Sequence, residues 1–243
     1  MIDLTVVVPA FNEERTIDDL LRRVVEVLDE QPELVSEVIV VDDGSSDRTA
    51  QIAAAFGHPL VSLLRQDRNR GKGAAVQRGI AAARGRHIVV QDADVEYFPA
   101  DIPRMIECVT SVDGCAVYGS RVLGAKEFLA GPRGRLGIWP GQGIPQRVAN
   151  SVLALLFRRF FDIRVSDPLT GYKLYPATLF SDWAPTSTGF ETDHEITIRL
   201  VDQSIPIVEV PIRYAPRSRA EGKKIGARDF VRAVRMIVKD GRS

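Results

Sequence analysis

Short runs of aliphatic residues alternate with amphipathic stretches over the first 120 residues, and this alternation constrains the fold more than any other feature. Apolar residues recur at helical spacing between the runs, for example at 17, 20, 21, 24, 25 and 28. Such alternation predicts a doubly wound α/β fold with a mainly parallel sheet, in which ligands bind at the carboxyl ends of the strands. The predicted strands are 4–8, 37–41, 60–64, 87–91 and 116–118.

The charge of the chain is balanced overall but unevenly distributed. Its 243 residues carry 32 basic and 32 acidic side chains, so the formal net charge is zero. Residues 1–50 hold 13 acids and 4 bases, whereas residues 213–243 hold 3 acids and 10 bases. Neutrality disfavours a nucleic-acid-binding protein, while the basic stretches 121–164 and 213–243 suit phosphates or an anionic membrane surface.

The second half of the chain is less regular than the first. Glycines and prolines recur between residues 124 and 146 and predict a long irregular segment. Periodicity then predicts helices at 147–161, 191–201 and 230–238, a turn at 167–171 and a strand at 207–214.

Acidic residues follow two of the predicted strands at the point where each strand ends. Asp42 and Asp43 follow the second strand, and Asp92, Asp94 and Glu96 follow the fourth. Because the carboxyl ends of parallel strands share one edge of a sheet, these side chains should face a common cleft. Clustered like charges are costly without a compensating cation, and alternating carboxylates such as Asp92 and Asp94 suit Mg²⁺ or Mn²⁺ bridging phosphates.

A basic, glycine-rich loop precedes the third predicted helix. Arg68, Arg70 and Lys72 flank Gly71 and Gly73. Flexible backbone, cations and a helix N-terminus together suit an anion or a nucleotide. The spacing is not that of a Walker P-loop, and no G-x-G-x-x-G follows the first strand.

Several segments occur in a fixed order along the chain. The first half contains Val8-Pro9-Ala10-Phe11-Asn12-Glu13, Val41-Asp42-Asp43-Gly44-Ser45-Ser46-Asp47, Asn69-Arg70-Gly71-Lys72-Gly73 and Asp92-Ala93-Asp94. The second half contains Tyr118-Gly119-Ser120-Arg121, Asp167-Pro168-Leu169-Thr170-Gly171-Tyr172-Lys173, Gly189-Phe190-Glu191 and Arg217 through Lys224. The first set resembles family 2 glycosyltransferases of the GT-A fold. The second set narrows the resemblance to polyprenyl-phosphate (dolichyl-phosphate-type) hexose synthases.

The resemblance implies one GT-A domain over residues 1–243, with a Rossmann-like mixed sheet flanked by helices. Residues 1–120 would bind the nucleotide-sugar, and residues 121–243 would form an acceptor half with a C-terminal lid. It also implies a set of donor-site residues: Pro9, Phe11, Glu13, Asp42, Asp43, Lys72, Asp92, Ala93, Asp94, Arg217 and Lys224. Within this set, Asp92 would contact the sugar-nucleotide, and Asp94 together with Glu96 would ligate Mg²⁺ or Mn²⁺ on the pyrophosphate.

The acceptor side follows from a different argument. A lipid phosphate is already anionic near neutral pH, so cations should position it without strong general-base help. Arg121 matches the acceptor-phosphate arginine of the family. Close relatives also have an arginine followed four residues later by serine, and this pair is absent here. The candidates to replace it are Arg133, Arg135 and Arg147.

Three other features each have two open interpretations. Asp193 and Glu195 lie where other family 2 enzymes place a base, but a polar helix turn explains them equally well. The apolar stretch 152–161 suits an interfacial helix or a core helix. Trp139 suits a membrane anchor or a packed lid. Tyr118, Tyr172 and Trp183 are predicted to lie in the core.

The sequence therefore predicts an inverting, metal-dependent transferase that moves a hexose from a nucleoside diphosphate sugar to a polyprenyl phosphate. Mannose is favoured over glucose, and the oligomeric state is not predicted. A soluble sugar, glycan or phosphorylated metabolite is the alternative acceptor, and a non-catalytic nucleotide-sugar-binding module is the alternative of another class. No signal peptide or membrane-spanning run is evident, which predicts a cytoplasmic protein able to associate peripherally with a membrane. Cys108 and Cys115 are predicted to be reduced thiols.

Overall fold

Seven strands form one sheet in the computed structural model, which describes residues 2–112, 114–217 and 227–241. Their order is β3-β2-β1-β4-β6-β5-β7, where β6 runs antiparallel to both of its neighbours and the other pairs are parallel. The predicted mixed, mainly parallel sheet is therefore confirmed. The strands are β1 (Leu4–Ala10), β2 (Ser36–Asp42), β3 (Val61–Arg65), β4 (His87–Val90), β5 (Ala116–Ser120), β6 (Lys173–Pro176) and β7 (Ile207–Pro211).

Helices cover both faces of the sheet. Because side chains alternate across a strand, Val6 and Val8 of β1 pack with the α1 and α4 side, whereas Val7 packs with α3, α7, α8 and α9. Within the described ranges, no helix is long and apolar enough to cross a bilayer. The helices are α1 (Ile17–Asp29), α2 (Thr49–Ala55), α3 (Lys72–Ala82), α4 (Ile102–Ser111), α5 (Arg121–Phe128), α6 (Gly131–Arg135), α7 (Ile144–Phe161), α8 (Thr192–Asp202) and α9 (Ala227–Asp240).

The prediction of an irregular segment over 124–146 is wrong. This stretch contains most of α5, all of α6 and the start of α7. Two of its glycines allow close packing within helices: a Cβ on Gly124 would overlap the backbone of Ile212 at the end of β7, and a Cβ on Gly134 would overlap the backbone of Leu129. The strand β6 was not predicted, because its four residues are too few to show a period. β1 extends past the predicted end, since Pro9 still pairs with Val41.

The close approach of α5 to the segment after β7 predicts a large difference between two glycine substitutions. Gly124→Ala should reduce the free energy of unfolding by about 3 kcal/mol through overpacking against the Ile212 backbone. Gly131→Ala is the matched control, since Gly131 has open space around it and a positive φ that costs a side chain about 1 kcal/mol. Urea unfolding of both variants measures the difference, and equal losses would contradict the packing of α5 against this segment.

Candidate active site

A cavity of about 1140 Å³ opens where the carboxyl ends of β1, β2 and β4 meet the segment that enters β6. Because β6 is antiparallel, the residues that precede it lie at the same sheet edge as the residues that follow the parallel strands. The opposite side of the cavity is formed by α7, α8 and α9. The cavity thus combines residues from both halves of the sequence.

Most of the predicted site residues line this cavity: Pro9, Phe11, Glu13, Asp43, Lys72, Asp92, Ala93, Asp94, Glu96, Arg121, Asp193 and Arg217. Asp42 does not line it. Its carboxylate is completely buried, accepts the backbone N–H of Ser45 and so supports the turn after β2. Arg147 is exposed on a face of α7 that points away, whereas its neighbours Gln146 and Val148 do line the cavity. The placement of Arg147 therefore does not support its predicted contact with an acceptor phosphate. Lys224 lies outside the described residues.

The carboxylate of Asp43 holds the glycine-rich loop in place. It accepts hydrogen bonds from the backbone N–H groups of Arg70 and Gly71 at 2.8 and 2.9 Å, and from the side-chain amide of Gln66 at 2.9 Å. Burial raises the pKa of Asp43 despite these bonds. Gly71 has a φ of +99°, which only glycine adopts readily, and this conformation turns the loop into the start of α3. Contacts within the protein therefore fix the conformation of this loop.

Lys72 and Asp92 form a largely buried ion pair in the wall of the cavity. The Lys72 ammonium lies 2.7 and 3.0 Å from the two Asp92 carboxylate oxygens. Burial alone would lower the pKa of Lys72, but the charges of Asp92 and then Asp193 outweigh it and raise that pKa. The same ammonium lies 5.7 Å from the centre of the Phe190 ring. Lys72 therefore stays protonated, and its ammonium group provides a positive charge at the cavity.

Arg217, in the segment after β7, lies among the other acidic side chains at the cavity. Its guanidinium lies 2.7 Å from Asp94, 3.4 Å from Glu13 and 3.8 Å from Glu96. Glu96 also accepts the Arg217 backbone N–H at 2.9 Å and the Tyr214 hydroxyl at 2.8 Å. Burial raises the pKa of Asp94, and the charge of Asp92 raises it further. The positive charge of Arg217 lowers the pKa of Asp94 and so opposes these two effects.

The ligand atoms in this acidic cluster suit a hard divalent cation. Its ligand atoms are carboxylate oxygens, which Mg²⁺ and Mn²⁺ prefer. Within residues 2–112, 114–217 and 227–241, no three His, Cys, Asp or Glu side chains are already arranged as a metal site. Arg217 pairs with these acids instead. The carboxylate oxygens have the chemical type that such a cation binds, and the group of acids needs a positive charge beside it.

Arg121 is fixed at the first position of α5 by a buried carboxylate. Its Nε and Nη2 atoms each lie 2.7 Å from an oxygen of Asp167, which also accepts the Arg121 backbone N–H at 2.9 Å. The guanidinium lies 5.1 Å from the centre of the Tyr214 ring. Trp139 donates its indole N–H to the Arg121 carbonyl at 2.7 Å and packs in the core. Trp139 is therefore packed inside the protein and does not project from the surface as a membrane anchor would.

Several side chains at the cavity were missed by sequence reasoning. Tyr97 lines it and accepts the backbone N–H of Gly171 through its hydroxyl at 2.9 Å. Tyr97 also forms an isolated β-bridge to Tyr214, and Phe230 of α9 lines the far side. Gly171, Tyr214 and Phe230 follow Tyr97 by 74, 117 and 133 positions along the chain. Only the sheet order, with β6 next to β4, could have placed them together with Tyr97.

The structure shows the surroundings of the residues for which the sequence leaves two interpretations. Glu195 accepts three hydrogen bonds from Thr186 and Ser187, so its carboxylate fixes a loop. Asp193 lines the cavity. In α7, Leu153 and Phe157 are completely buried and belong to the core. Tyr118 and Tyr172 are buried as predicted, and Trp183 packs partly against the core.

Comparison with known proteins places this site in a family. Residues 5–161 match glycosyl transferase family 2. A dolichyl-phosphate beta-glucosyltransferase of Trichomonas vaginalis is 40% identical over 137 residues, which is 52% of this chain and 39% of that protein. A dolichol-phosphate mannosyltransferase of Pyrococcus furiosus is 29% identical over 229 residues, which is 93% of this chain and 60% of that protein. The chain thus spans less than two thirds of the length of either relative.

A solved structure shows the same fold. Glucosyl-3-phosphoglycerate synthase of Mycobacterium tuberculosis, in complex with phosphoglyceric acid, superposes with a TM-score of 0.70 at 23% identity, covering 99% of this chain and 80% of that chain. Another structure of that enzyme contains Mn²⁺, UDP-glucose and phosphoglyceric acid and has a TM-score of 0.67 at 22% identity, with the same coverage. The likeness confirms the predicted GT-A architecture.

The buried pair of Arg121 and Asp167 predicts a large loss of stability on neutralising the acid. Asp167→Asn would leave the Arg121 guanidinium buried without its counter-ion, and it should reduce the free energy of unfolding by about 3–5 kcal/mol. Asp18→Asn breaks an exposed pair with Arg22 and should cost less than about 0.5 kcal/mol. Denaturant unfolding separates the two, and a small effect of Asp167→Asn would mean that Arg121 does not depend on this carboxylate.

Proposed function

Because the chain belongs to glycosyl transferase family 2, we propose that it is an inverting, metal-dependent transferase moving a hexose from a nucleoside diphosphate sugar to a polyprenyl phosphate. Residues 1–120 form the donor half and residues 121–243 the acceptor half. Mannose is the favoured sugar, because the relative named dolichol-phosphate mannosyltransferase matches 93% of this chain. Glucose is the second choice, because the relative named dolichyl-phosphate beta-glucosyltransferase matches 52% of it.

The observation that carries this proposal is the division of one cavity into a charged side and an apolar side. The charged side holds the Lys72–Asp92 pair and the Asp94–Arg217 pair. The other side is mainly apolar, although α7 and α9 also bring Gln146 and Asp229 to the cavity; its apolar residues are Ile144, Pro145, Val148, Leu169, Phe230 and Ala233. Arg121 lies at the same cavity. A donor diphosphate suits the first side, and an acceptor whose phosphate continues into a hydrocarbon chain suits the second.

On the donor side, Phe11 offers a flat apolar wall to the base and Asp43 accepts hydrogen bonds from the nucleoside. Asp92 contacts the sugar. Lys72 and Arg217 bind the phosphates, with Lys224 joining them. Asp94 and Glu96 hold the divalent cation, which when bound neutralises charge on the departing diphosphate.

On the acceptor side, Arg121 orients the acceptor phosphate. An oxygen of that phosphate attacks the anomeric carbon from the face opposite the leaving group, the new carbon–oxygen bond forms as the bond to the diphosphate breaks, and the configuration inverts. Because the phosphate is already anionic, this step requires no strong base. Asp193 is in the first turn of α8 and lines the cavity, and in this mechanism it accepts a hydrogen bond from the sugar.

A soluble phosphorylated acceptor is the second candidate. The glucosyl-3-phosphoglycerate synthase that shares this fold was solved with phosphoglyceric acid. An acceptor of that kind would use Arg121 in the same way but would leave the apolar side of the cavity unused. The two candidates therefore differ in what they demand of the α7 and α9 residues.

A transfer assay distinguishes these acceptors. Purified protein is incubated with Mn²⁺ and radiolabelled GDP-mannose or UDP-glucose, and with undecaprenyl phosphate in detergent or with 3-phosphoglycerate. We expect organic-extractable label with one donor and undecaprenyl phosphate. Asp94→Asn should lower kcat by at least about 100-fold, because the cation loses a ligand. Asp182→Asn, on an exposed carboxylate paired with Arg199, is the control and should leave kcat unchanged.

Each other outcome assigns a different function. Label transferred only to 3-phosphoglycerate would replace the polyprenyl acceptor by the second candidate. Nucleotide binding without any release of nucleoside diphosphate would identify a non-catalytic binding module. Equal activity with and without a chelator would contradict the metal dependence.

We also propose that the outer face of α7 contacts the membrane that holds the lipid acceptor. Four apolar side chains of α7 are exposed at helical spacing: Ile144 and Val148, which also line the cavity, and then Val152 and Leu155, which do not. The adjacent helix α9 exposes a row of bases: Arg228, Arg232, Arg235 and Lys239. An apolar stripe beside cations suits an anionic bilayer surface.

Vesicle binding tests this membrane contact. Leu155 is 64% exposed, and Leu155→Glu should weaken binding to phosphatidylglycerol vesicles by at least about tenfold, since an exposed leucine gains about 1.5–3 kcal/mol on burial. Val35→Glu changes another exposed apolar residue, before β2, and should leave binding unchanged. Co-sedimentation measures both, and equal binding by the two variants would remove α7 from the contact.

A further inference from the structure

A lysine with no exposed surface lies behind the wall of the cavity. Lys173 is the first residue of β6. Its ammonium group lies 3.4 Å from the carbonyl oxygens of both Pro168 and Asp193, and 4.7 Å from the centre of the Tyr118 ring. The contacts described for this cation are therefore with carbonyl dipoles and an aromatic face.

Such an ammonium group is expensive to bury. Two contacts at 3.4 Å are long for hydrogen bonds and replace the water shell poorly. Burial lowers the pKa of Lys173 to about 8. A methionine side chain would fill a similar volume without this free-energy cost. Packing alone therefore does not explain a charged side chain here, and the neighbouring cavity is where its charge can act.

The two carbonyl groups belong to different walls of the acceptor side. Pro168 follows Asp167, the counter-ion of Arg121, in the loop that leads into β6. Asp193 is in the first turn of α8, and both Pro168 and Asp193 line the cavity. The Asp193 carbonyl also accepts the Thr197 hydroxyl at 2.7 Å. The Lys173 ammonium thus links the loop to the helix.

We propose that Lys173 is a positioning residue for the acceptor side of the cavity. Its buried ammonium group holds the loop 166–171 and the first turn of α8 at a fixed separation, and it places positive charge behind the wall that an anionic acceptor would face. The identity of that acceptor rests on the proposed function, whereas the separation of the two walls depends on the structure alone.

Charged and titratable groups from every packed element face this ammonium: Asp193 and His194 from α8, Lys72 from α3, Asp167 from the loop before β6, Arg121 from α5 and Tyr118 from β5. After burial, Asp193 raises the pKa of Lys173 and Lys72 lowers it. Burial and then the charge of Lys173 lower the pKa of His194 to about 3, so His194 is neutral when Lys173 is charged. As the pH rises through about 8, Lys173 therefore loses the positive charge that lies behind the wall.

Hydrogen exchange of two segments tests the proposal without requiring activity. Lys173→Met keeps most of the side-chain volume and removes the charge, and Lys126→Met removes an exposed lysine of α5 as a matched control. Peptides covering 166–172 and 190–196 should exchange at least about tenfold faster in Lys173→Met, because both walls open locally more often. The control should exchange like the wild type.

Stability gives a second readout that an ordinary core role would not produce. The pKa of Lys173 is lowered to about 8 from an ordinary 10.5, so the unfolded chain binds more protons between these two values. The penalty is full below about pH 8 and is relieved as the pH rises towards 10.5. Lys173→Met should therefore melt at or above the wild-type temperature at pH 7, with a difference that shrinks at higher pH.

In the transfer assay, Lys173→Met should raise the KM for undecaprenyl phosphate about tenfold, with the donor KM unchanged. Wild-type kcat/KM for the acceptor should fall above pH 8, and this fall should be absent in the variant. Unchanged exchange in both segments would overturn the proposal, and so would a lower melting temperature with failure to fold. A wild type that transfers to no acceptor would contradict the proposed function, while the exchange result would still decide the role of Lys173.

Discussion

The charge balance at the carboxyl edge of the sheet is the constraint on which the rest of the structure depends. The geometry of parallel strands brings Asp43, Asp92 and Asp94 to one edge, and such a group of acids is unstable by itself. Two cations from elsewhere in the chain offset it: Lys72 from the start of α3 and Arg217 from the segment after β7. The cavity is therefore shaped by pairs of opposite charge, and a diphosphate with its cation could exchange with either partner of each pair.

The donor side of the site could be predicted from the sequence because its residues are local to strand ends. Asp92 and Asp94 follow β4 directly, and the loop that carries Lys72 leads straight into a helix. Hydrophobic periodicity and turn-forming residues mark the strand ends in the sequence, so these residues can be located without knowledge of the tertiary fold. The one exception, Asp42, differs from Asp43 by a single position, and consecutive residues at the end of a strand point to opposite sides.

The acceptor side could not be predicted in the same way because it depends on the order of strands. β6 lies between β4 and β5 although it follows both in the chain, and this insertion brings Gly171 to Tyr97. The glycines of 124–146 misled the prediction, since glycine marks close approach within a helix as well as a loop. Arg147 has the positive charge that a phosphate contact needs, but it lies on a face of α7 that does not line the cavity.

The reversed direction of β6 has a consequence for how such a site can change. In a parallel strand the segment that follows the strand reaches the ligand, whereas in β6 it is the segment that precedes the strand, Ser166 to Gly171. Changes of length or composition in that segment would alter the acceptor side and leave the register of β1, β2 and β4 intact. One sheet can therefore keep the arrangement at the ends of β1, β2 and β4 while the cavity wall formed by Pro168, Leu169 and Gly171 diverges.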